Sequence, residues 1–385
     1  MKVAISVFGR FHVFNTAKEL ESRGVLNQFF TTYPKWMVKK FDIESETVSY
    51  PFLELLNRIR RKLFSRYWPE SMGLKKVYDH MLAKRLKDDN DIYIAWGGFS
   101  YKSMKRAKEL GQIVILEWGS THPLYVKQVL KSEYDRFNIA LDLNSDENIH
   151  WTLKAIEMAD YISIPSSFVK RTFEENGVCK SKLMVNPYGV DLSSFRPLDK
   201  KDNVFRVIYC GTLSIQKGSH YLLQAIHELD LPNLQLWHIG SVKNEMKPFI
   251  HRYGSGKVHF KGSYPQSELY KLYSQGSVFV IPSIQDGLAL VQLQAMACGL
   301  PLICSTNTGG DDLITKQGDE GYVIPIRSVE AIKEKITVLY NDPELLKEMS
   351  DKAIRKVSQG YTWEDYGNRY FKNLEVVTSA RNIEA

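Results

Sequence analysis

Short, unbroken apolar runs recur along the whole of this 385-residue chain, and they restrict its fold more than any other feature. In the first half they fall at 3–8, 92–96, 113–116 and 161–165; in the second they fall at 206–210, 234–239, 258–261, 278–281 and 301–304. A strand apolar on both faces belongs to a parallel sheet covered by helices on each side. Between the runs, 221–226 and 269–273 carry the three- and four-residue spacing of crossover helices, and 329–340, 343–357 and 363–376 read as helices near the end of the chain. One hydrophobic core rarely serves so long a chain. The polar stretch 195–203, with Pro197, separates two βα series. The sequence therefore predicts an α/β protein of two doubly wound, Rossmann-like domains facing a cleft, the first over 1–197 and the second over 204–360. In open parallel sheets ligands bind beyond the carboxyl ends of the strands, which puts any site in loops between the domains.

Composition narrows the classes. Hydrophobic residues at 44% and charged residues at 25% are ordinary for a folded globular protein. A net charge of +7 suits phosphate-rich or anionic partners without demanding nucleic acid. Cys179, Cys210, Cys298 and Cys304 form no CxxC pair, so a reducing compartment is expected rather than a zinc ribbon or redox motif. The first apolar run is too short for a signal peptide, and no run reaches the roughly 18 residues of a membrane span. A cytoplasmic protein is the expectation.

The most informative segment is 282–301, which reads strand, turn, helix, strand in one sweep. A helix starting near Leu288 would aim free backbone N–H groups into the cleft, where they could hold a diphosphate. Asp286 and Gln294 lie eight apart, about two turns, which sets both on one side of such a helix. One would face a sugar and the other ribose hydroxyls. The plain alternative is a βα turn with a solvated aspartate.

This segment resembles the signature of family 4 glycosyltransferases of the GT-B fold, in which a glutamate-glycine pair precedes a helix reading Glu-Ala-Met-Ala-x-Gly-x-Pro. Asp286 and Gln294 stand where that family has two glutamates, the first one methylene shorter and the second uncharged but still able to hydrogen-bond a diol. Ala289 stands where glycine is common. The resemblance puts Gly287, Leu288, Ala289, Leu290 and Gln294 on the donor. Residues 209–218 resemble the family's Gly-Arg-Leu…Lys-Gly loop, with Gly211 and Lys217 in place and Thr212 where arginine is usual. Stretches 160–166, 187–191, 237–240 and 260–264 also resemble the family, which makes Tyr264 a candidate nucleobase contact. Residues 361–366 resemble the start of the helix that crosses back onto the first domain, so 361–385 is assigned to it. In the first half the resemblance implies a loop at Gly9 touching donor phosphates or acceptor, with Arg10 and His12 on the acceptor side. It makes His122 a candidate for the transferred sugar. For both histidines a structural loop role is the alternative.

The resemblance implies a retaining glycosyltransferase. It would move a hexosyl or other glycosyl unit from a nucleoside-diphosphate donor, UDP first by family frequency, to an acceptor hydroxyl in glycan or polysaccharide biosynthesis. Lys217 and the helix N-terminus would stabilise the leaving charge, and Asp286 and His122 would orient the sugar. No spaced DxD cluster follows a strand, so neither a metal nor another cofactor is implied; Asp311 and Asp312 are adjacent. The departures at Thr212 and Gln294 leave a second reading, a GT-B protein that binds a nucleotide sugar without transfer. A nicotinamide dehydrogenase would need Gly-x-Gly-x-x-Gly after the first strand, which is missing. Acceptors left open are lipid-linked glycans, polysaccharides and small metabolites. Residues 58–68 interleave Arg58, Arg60, Arg61, Lys62 and Arg66 with Leu63, Phe64, Tyr67 and Trp68. Such a helix either touches an anionic membrane from the inner face or presents a solvated basic face over an ordinary core stripe.

Overall fold

The computed structural model describes residues 1–9, 11–63, 72–141 and 146–384. Among these residues the strands form two sheets, and every pairing within them is parallel. The first holds β1 (Val3–Val7), β2 (Leu26–Thr31), β3 (Glu46–Ser49), β4 (Ile92–Trp96), β5 (Ile113–Glu117), β6 (Tyr161–Ile164) and β7 (Leu183–Val185), in the order β3-β2-β1-β4-β5-β6-β7. The second holds β8 (Phe205–Cys210), β9 (Leu234–Ile239), β10 (Val258–Gly262), β11 (Val278–Ile281), β12 (Leu302–Ser305) and β13 (Gly321–Ile324), in the order β10-β9-β8-β11-β12-β13. Both are doubly wound, and in each the order reverses at the first strand. The loops after β1 and β8 therefore open at the two switch points, where such sheets leave a crevice.

Nine of the strands are the apolar runs of the sequence. The other four, β2, β3, β7 and β13, lack that signature for identifiable reasons. β2 carries Gln28, fully buried, whose side chain serves the backbone of Lys87 and the amide of Asn90. β3 is a half-exposed edge strand, and β7 is an edge strand of only three residues. β13 opens on Gly321, where a Cβ would lie 2.2 Å from the Leu302 carbonyl oxygen.

Each face of the first sheet has its own cover. Val3, Ile5 and Val7 pack with Val13, Phe14, Ala17 and Leu20 of the helix Val13–Ser22. Ala4, Tyr93 and Ala95 point the other way, toward Tyr78, Leu82 and Met104. The chain returns to the first sheet after the second is complete. Val190 bridges Thr362, and a Cβ at Gly189 would meet the Thr362 backbone at 2.6 Å. The helix Trp363–Glu384 then lies along Val13–Ser22, with Tyr366 Oη 2.9 Å from Thr16 Oγ1 and Tyr370, Leu374 and Val377 in the same core.

A second exchange runs the other way. The helix Pro123–Asp135 follows β5 of the first sheet, yet its Leu130 and Tyr134 share a core with Val207 of the second sheet and with Leu222 and Ile226 of the helix Ser219–Glu228 that covers it. Its Glu133, fully buried, accepts from Tyr221 Oη at 2.7 Å, lies 3.1 Å from His220 Nε2 and pairs with Arg327. These three partners hold the carboxyl below its usual range against the upward push of burial.

Candidate active site

The site is assembled from loops at the carboxyl ends of the strands. Gly218, with φ +61, sits so close to β11 that a Cβ would fall 1.9 Å from the Pro282 carbonyl oxygen. That approach brings the β8 loop against the β11 loop. Lys217 Nζ and the Asp286 carboxylate form an ion pair there, both side chains mostly shielded from water. Asp286 is itself fixed, since its N–H donates to the Asn307 carbonyl at 2.9 Å and its Oδ1 accepts from Gly287 N at 3.1 Å.

The first domain closes on the same loop. Gln285 donates to Thr121 Oγ1 at 2.8 Å and to Ser120 Oγ at 3.0 Å. Ser166 Oγ donates to the Gly287 carbonyl, and Asn307 Nδ2 donates to Tyr125 Oη. At Gly287 a Cβ would lie 2.2 Å from the Gly119 carbonyl oxygen, so the two backbones meet where only glycine fits. Asp312 and Asp311 are spent on this seam as well, Asp312 accepting from Ser167 N and Asp311 pairing with Arg171.

The helix after Asp286 spans Leu290–Ala297, two residues later than the sequence suggested. Leu288 is buried and Ala289 is extended, with φ −70 and ψ 117. Asp286 and Gln294 therefore do not share two turns of one helix; Gln294 lies one turn inside it and Asp286 in the lead-in. No side chain caps the helix start; Gln292 N–H donates to the Ala289 carbonyl, and the N–H groups of Leu290 and Val291 before it are placed for an anion. Gln294 is buried, and its Oε1 has no hydrogen-bond partner among the described residues. It lines a cavity of about 410 Å³ with Phe11, His12, Asn15, Asp191, Leu290 and Trp363. That oxygen is shielded from solvent, so a ligand hydroxyl in the cavity reaches it only if the side chain turns toward it.

Thr212, in the position read as arginine in the related loop, is within 3.1 Å of Ser241 Oγ through its hydroxyl, and its carbonyl accepts from Tyr209 Oη. The Gly211 carbonyl lies 3.0 Å from His238 Nε2. Tyr264 stands exposed after β10. Gly9 donates its N–H to Thr32 Oγ1, and Arg10 lies outside the described residues.

The two histidines part company. His122 is buried at the start of Pro123–Asp135, where its Nδ1 accepts from Leu124 N and its ring meets Phe173 edge-on at 5.1 Å. Burial pushes its pKa down to about 4, so the ring is neutral at neutral pH. It is Gly119, Ser120 and Thr121 of that loop, rather than His122, that touch the Asp286 segment. In this structure the ring caps the helix and packs on Phe173 of the first domain, the structural loop role that stood as its alternative. His12 does reach the cavity. Its ring is wedged between Tyr188 at 4.0 Å and Trp96 at 4.5 Å, with Nε2 3.4 Å from Glu117 Oε1. Tyr370 Oη donates to the other oxygen of Glu117 at 2.9 Å.

Glu117 and Gln285 escaped the sequence reading. The one signal for Glu117 was an acidic residue directly after the apolar run 113–116, where a buried strand end has no reason to carry charge. Among the described residues no group of three His, Cys, Asp or Glu side chains is placed to hold a metal ion, and no helix is long and apolar enough to cross a membrane.

Two doubly wound domains that meet over these loops have the GT-B fold. Comparison with known proteins narrows this: residues 192–356, which contain Lys217, Asp286 and Gln294, match the family of glycosyl transferases group 1. Over that segment the chain is similar to glycosyltransferases, and its fold is GT-B. Sulfoquinovosyl transferase SQD2 of Arabidopsis thaliana is 27% identical over 219 residues, covering 53% of this chain and 42% of its own. The chain spans about half the length of the curated relatives it matches. Among solved structures, HepE of Anabaena in complex with UDP and glucose superposes with a TM-score of 0.72 at 15% identity, covering 98% of this chain and 100% of its own. Sucrose-phosphate synthase from Thermosynechococcus elongatus gives 0.74 at 16% identity, covering 99% and 100%. At those identities the likeness is one of fold.

Proposed function

We propose that this chain transfers a glycosyl unit, a hexosyl unit in the first instance, from a nucleoside-diphosphate donor to an acceptor hydroxyl with retention of configuration, in the assembly of a glycan or polysaccharide. The observation that carries this reading is the Lys217–Asp286 ion pair set before an uncapped helix start, with the open acceptor of Gln294 one turn further on. UDP is the first donor base to test, because HepE, of like fold, was solved with UDP and glucose.

In this mechanism the donor diphosphate lies on the N–H groups that open Leu290–Ala297, and Lys217 turns from Asp286 to the phosphate oxygens. Asp286, released, accepts from hydroxyls of the sugar and fixes its orientation. The acceptor hydroxyl attacks on the face from which the diphosphate leaves. The bond from the anomeric carbon to the phosphate oxygen breaks, and the departing phosphate takes the acceptor's proton. Lys217 and the helix start meet the charge that develops on that oxygen, so the reaction as written requires no metal. Gln294 accepts from a ribose hydroxyl. His12, held against Glu117, borders the cavity from the acceptor side. Lipid-linked glycan, polysaccharide and small-metabolite acceptors all fit this scheme.

A second reading rests on Thr212, whose hydroxyl is engaged with Ser241 where the related loop has a cation. Under it the protein binds a nucleotide sugar and does not transfer. The test is a thermal-shift panel of UDP, GDP, ADP and their sugars, with and without Mg²⁺, followed by assay of sugar release. A ligand of the native state raises the melting temperature. A shift with one base family, lost in Lys217→Ala, and release of sugar support transfer. A shift without release, converted to release by Thr212→Arg, supports the binding protein. No shift with any of them sinks both.

A further inference from the structure

The helix Pro51–Leu63 is mounted inside out. Glu54, Asn57 and Arg60, which an ordinary surface helix would give to water, are buried, with Arg60 donating to Asn57 Oδ1. Leu53 on the same side enters the core of the first domain. The apolar residues Phe52, Leu55, Leu56, Ile59 and Leu63 are 49%, 58%, 46%, 41% and 64% exposed. Their spacing of three, one, three and four residues puts them in a single stripe. Of the basic, aromatic stretch 58–68, residues 64–68 lie outside the described residues; within Pro51–Leu63 the apolar stripe faces out. Polar partners hold the inner face, since Glu54 accepts from Arg58 Nε at 2.9 Å and lies 3.6 Å from Arg61.

Cations border the stripe. Arg58, Arg61 and Lys62 are exposed on the helix itself. Arg58 also lies over the Tyr33 ring at 5.9 Å, and directly after Tyr33 runs the short helix Lys35–Lys39. That helix and the residue after it add Lys35, Lys39 and Lys40 around Trp36, which is 59% exposed with Lys40 Nζ 5.1 Å from its ring centre. A soluble surface does not ordinarily gather so many large apolar groups. An apolar helix face rimmed by lysine and arginine, with a tryptophan beside it, has the complementarity of a bilayer boundary, where acyl chains meet anionic phosphates.

We propose that Pro51–Leu63 is an in-plane membrane-docking helix, its Phe52, Leu55, Leu56, Ile59 and Leu63 entering the acyl boundary and its flanking cations meeting the headgroups of anionic phospholipids. This stands on exposure and charge, and is independent of the transfer reading. It would hold the chain at the surface of a membrane without spanning it.

The experiment is vesicle flotation of the full chain with phosphatidylcholine alone and with phosphatidylcholine mixed with phosphatidylglycerol. Wild type is expected to float with the mixed vesicles, about tenfold less with the neutral ones, and less again as salt rises. Leu55→Ser/Ile59→Ser/Leu63→Ser is expected to lose about tenfold or more of that binding with an unchanged melting temperature, while Leu198→Ser, another exposed leucine, floats as wild type. Lys62→Glu, which leaves the stripe intact, is expected to weaken binding to the mixed vesicles alone. Equal flotation of wild type and the triple variant overturns the proposal. So does a dimer of the wild type that the triple variant turns into monomer, because a second copy would then be what covers the face.

Discussion

Lys217 and Asp286 are each other's counter-ion, joined across the loops that follow β8 and β11. In the unliganded protein neither charge is idle. Under the proposed transfer a donor separates the pair, and the two residues should respond oppositely to substitution. Lys217→Ala is expected to weaken UDP binding and to lower turnover about 10²- to 10³-fold, as when one donor to a developing oxyanion is removed. Asp286→Asn frees the lysine: bare UDP should bind about fivefold more tightly while transfer falls. Calorimetric titration with UDP beside steady-state kinetics reads both. A parallel loss of UDP affinity in the two variants would refute the exchange of partners.

Gln294 carries a buried acceptor with no partner among the described residues. If a ribose hydroxyl fills it, Gln294→Leu should cost UDP about tenfold in affinity, the worth of one good hydrogen bond. The same variant should lose much of wild type's preference for UDP over its 2′- or 3′-deoxy analogues. Binding constants for the three nucleotides test this, and an undiminished preference would move the ribose elsewhere.

Gly287 meets Gly119 where a Cβ has no room. Gly287→Ala should force the domains apart at this point, lowering the melting temperature by about 5 °C and activity by more than its distance from the sugar would suggest. Scanning calorimetry checks the first and kinetics the second. A variant that melts as wild type would mean that the seam is open in solution.

His122 offers a pH test. Its folded pKa, about 4, lies below the ordinary imidazole value near 6.5, so the folded state favours the neutral ring. The stability this contributes is whole above about pH 6.5 and is lost progressively as pH falls toward 4. His122→Asn keeps a capping side chain and removes the titration. The fall in melting temperature between pH 7 and 4 should be shallower in that variant, and an unchanged slope would mean that the ring is not shielded.

The sequence was legible wherever one physical demand acted alone. Strands buried on both faces, such as 206–210 and 278–281, declare themselves by being apolar throughout. The order strand, turn, helix between β11 and β12 did so too, but not the helix start, which falls at Leu290 and leaves Asp286 in the lead-in. Local pattern failed where a distant contact decided the outcome. Gln28 is polar in a strand because Asn90 and Lys87 stand opposite it. His122 and Thr121 are neighbours in the chain, and only the packing of Phe173 against one and Gln285 against the other separates a cap from a domain contact. On Pro51–Leu63 periodicity tells which residues share a face, but it does not tell which face is turned inward.

The helix Pro123–Asp135 is tethered to one half of the molecule and housed in the other. The halves are accordingly not interchangeable cassettes. A chimera joined in the 195–203 stretch would carry the helix away from its socket, baring Leu130 and Tyr134 on one parent and a vacant seat beside Leu222 and Ile226 on the other. Glu133 would arrive there without His220, Tyr221 and Arg327 unless the recipient happened to supply them. Recombination that exchanges one half of such a chain must move this helix with the second sheet, or select anew for the surface on which it lands.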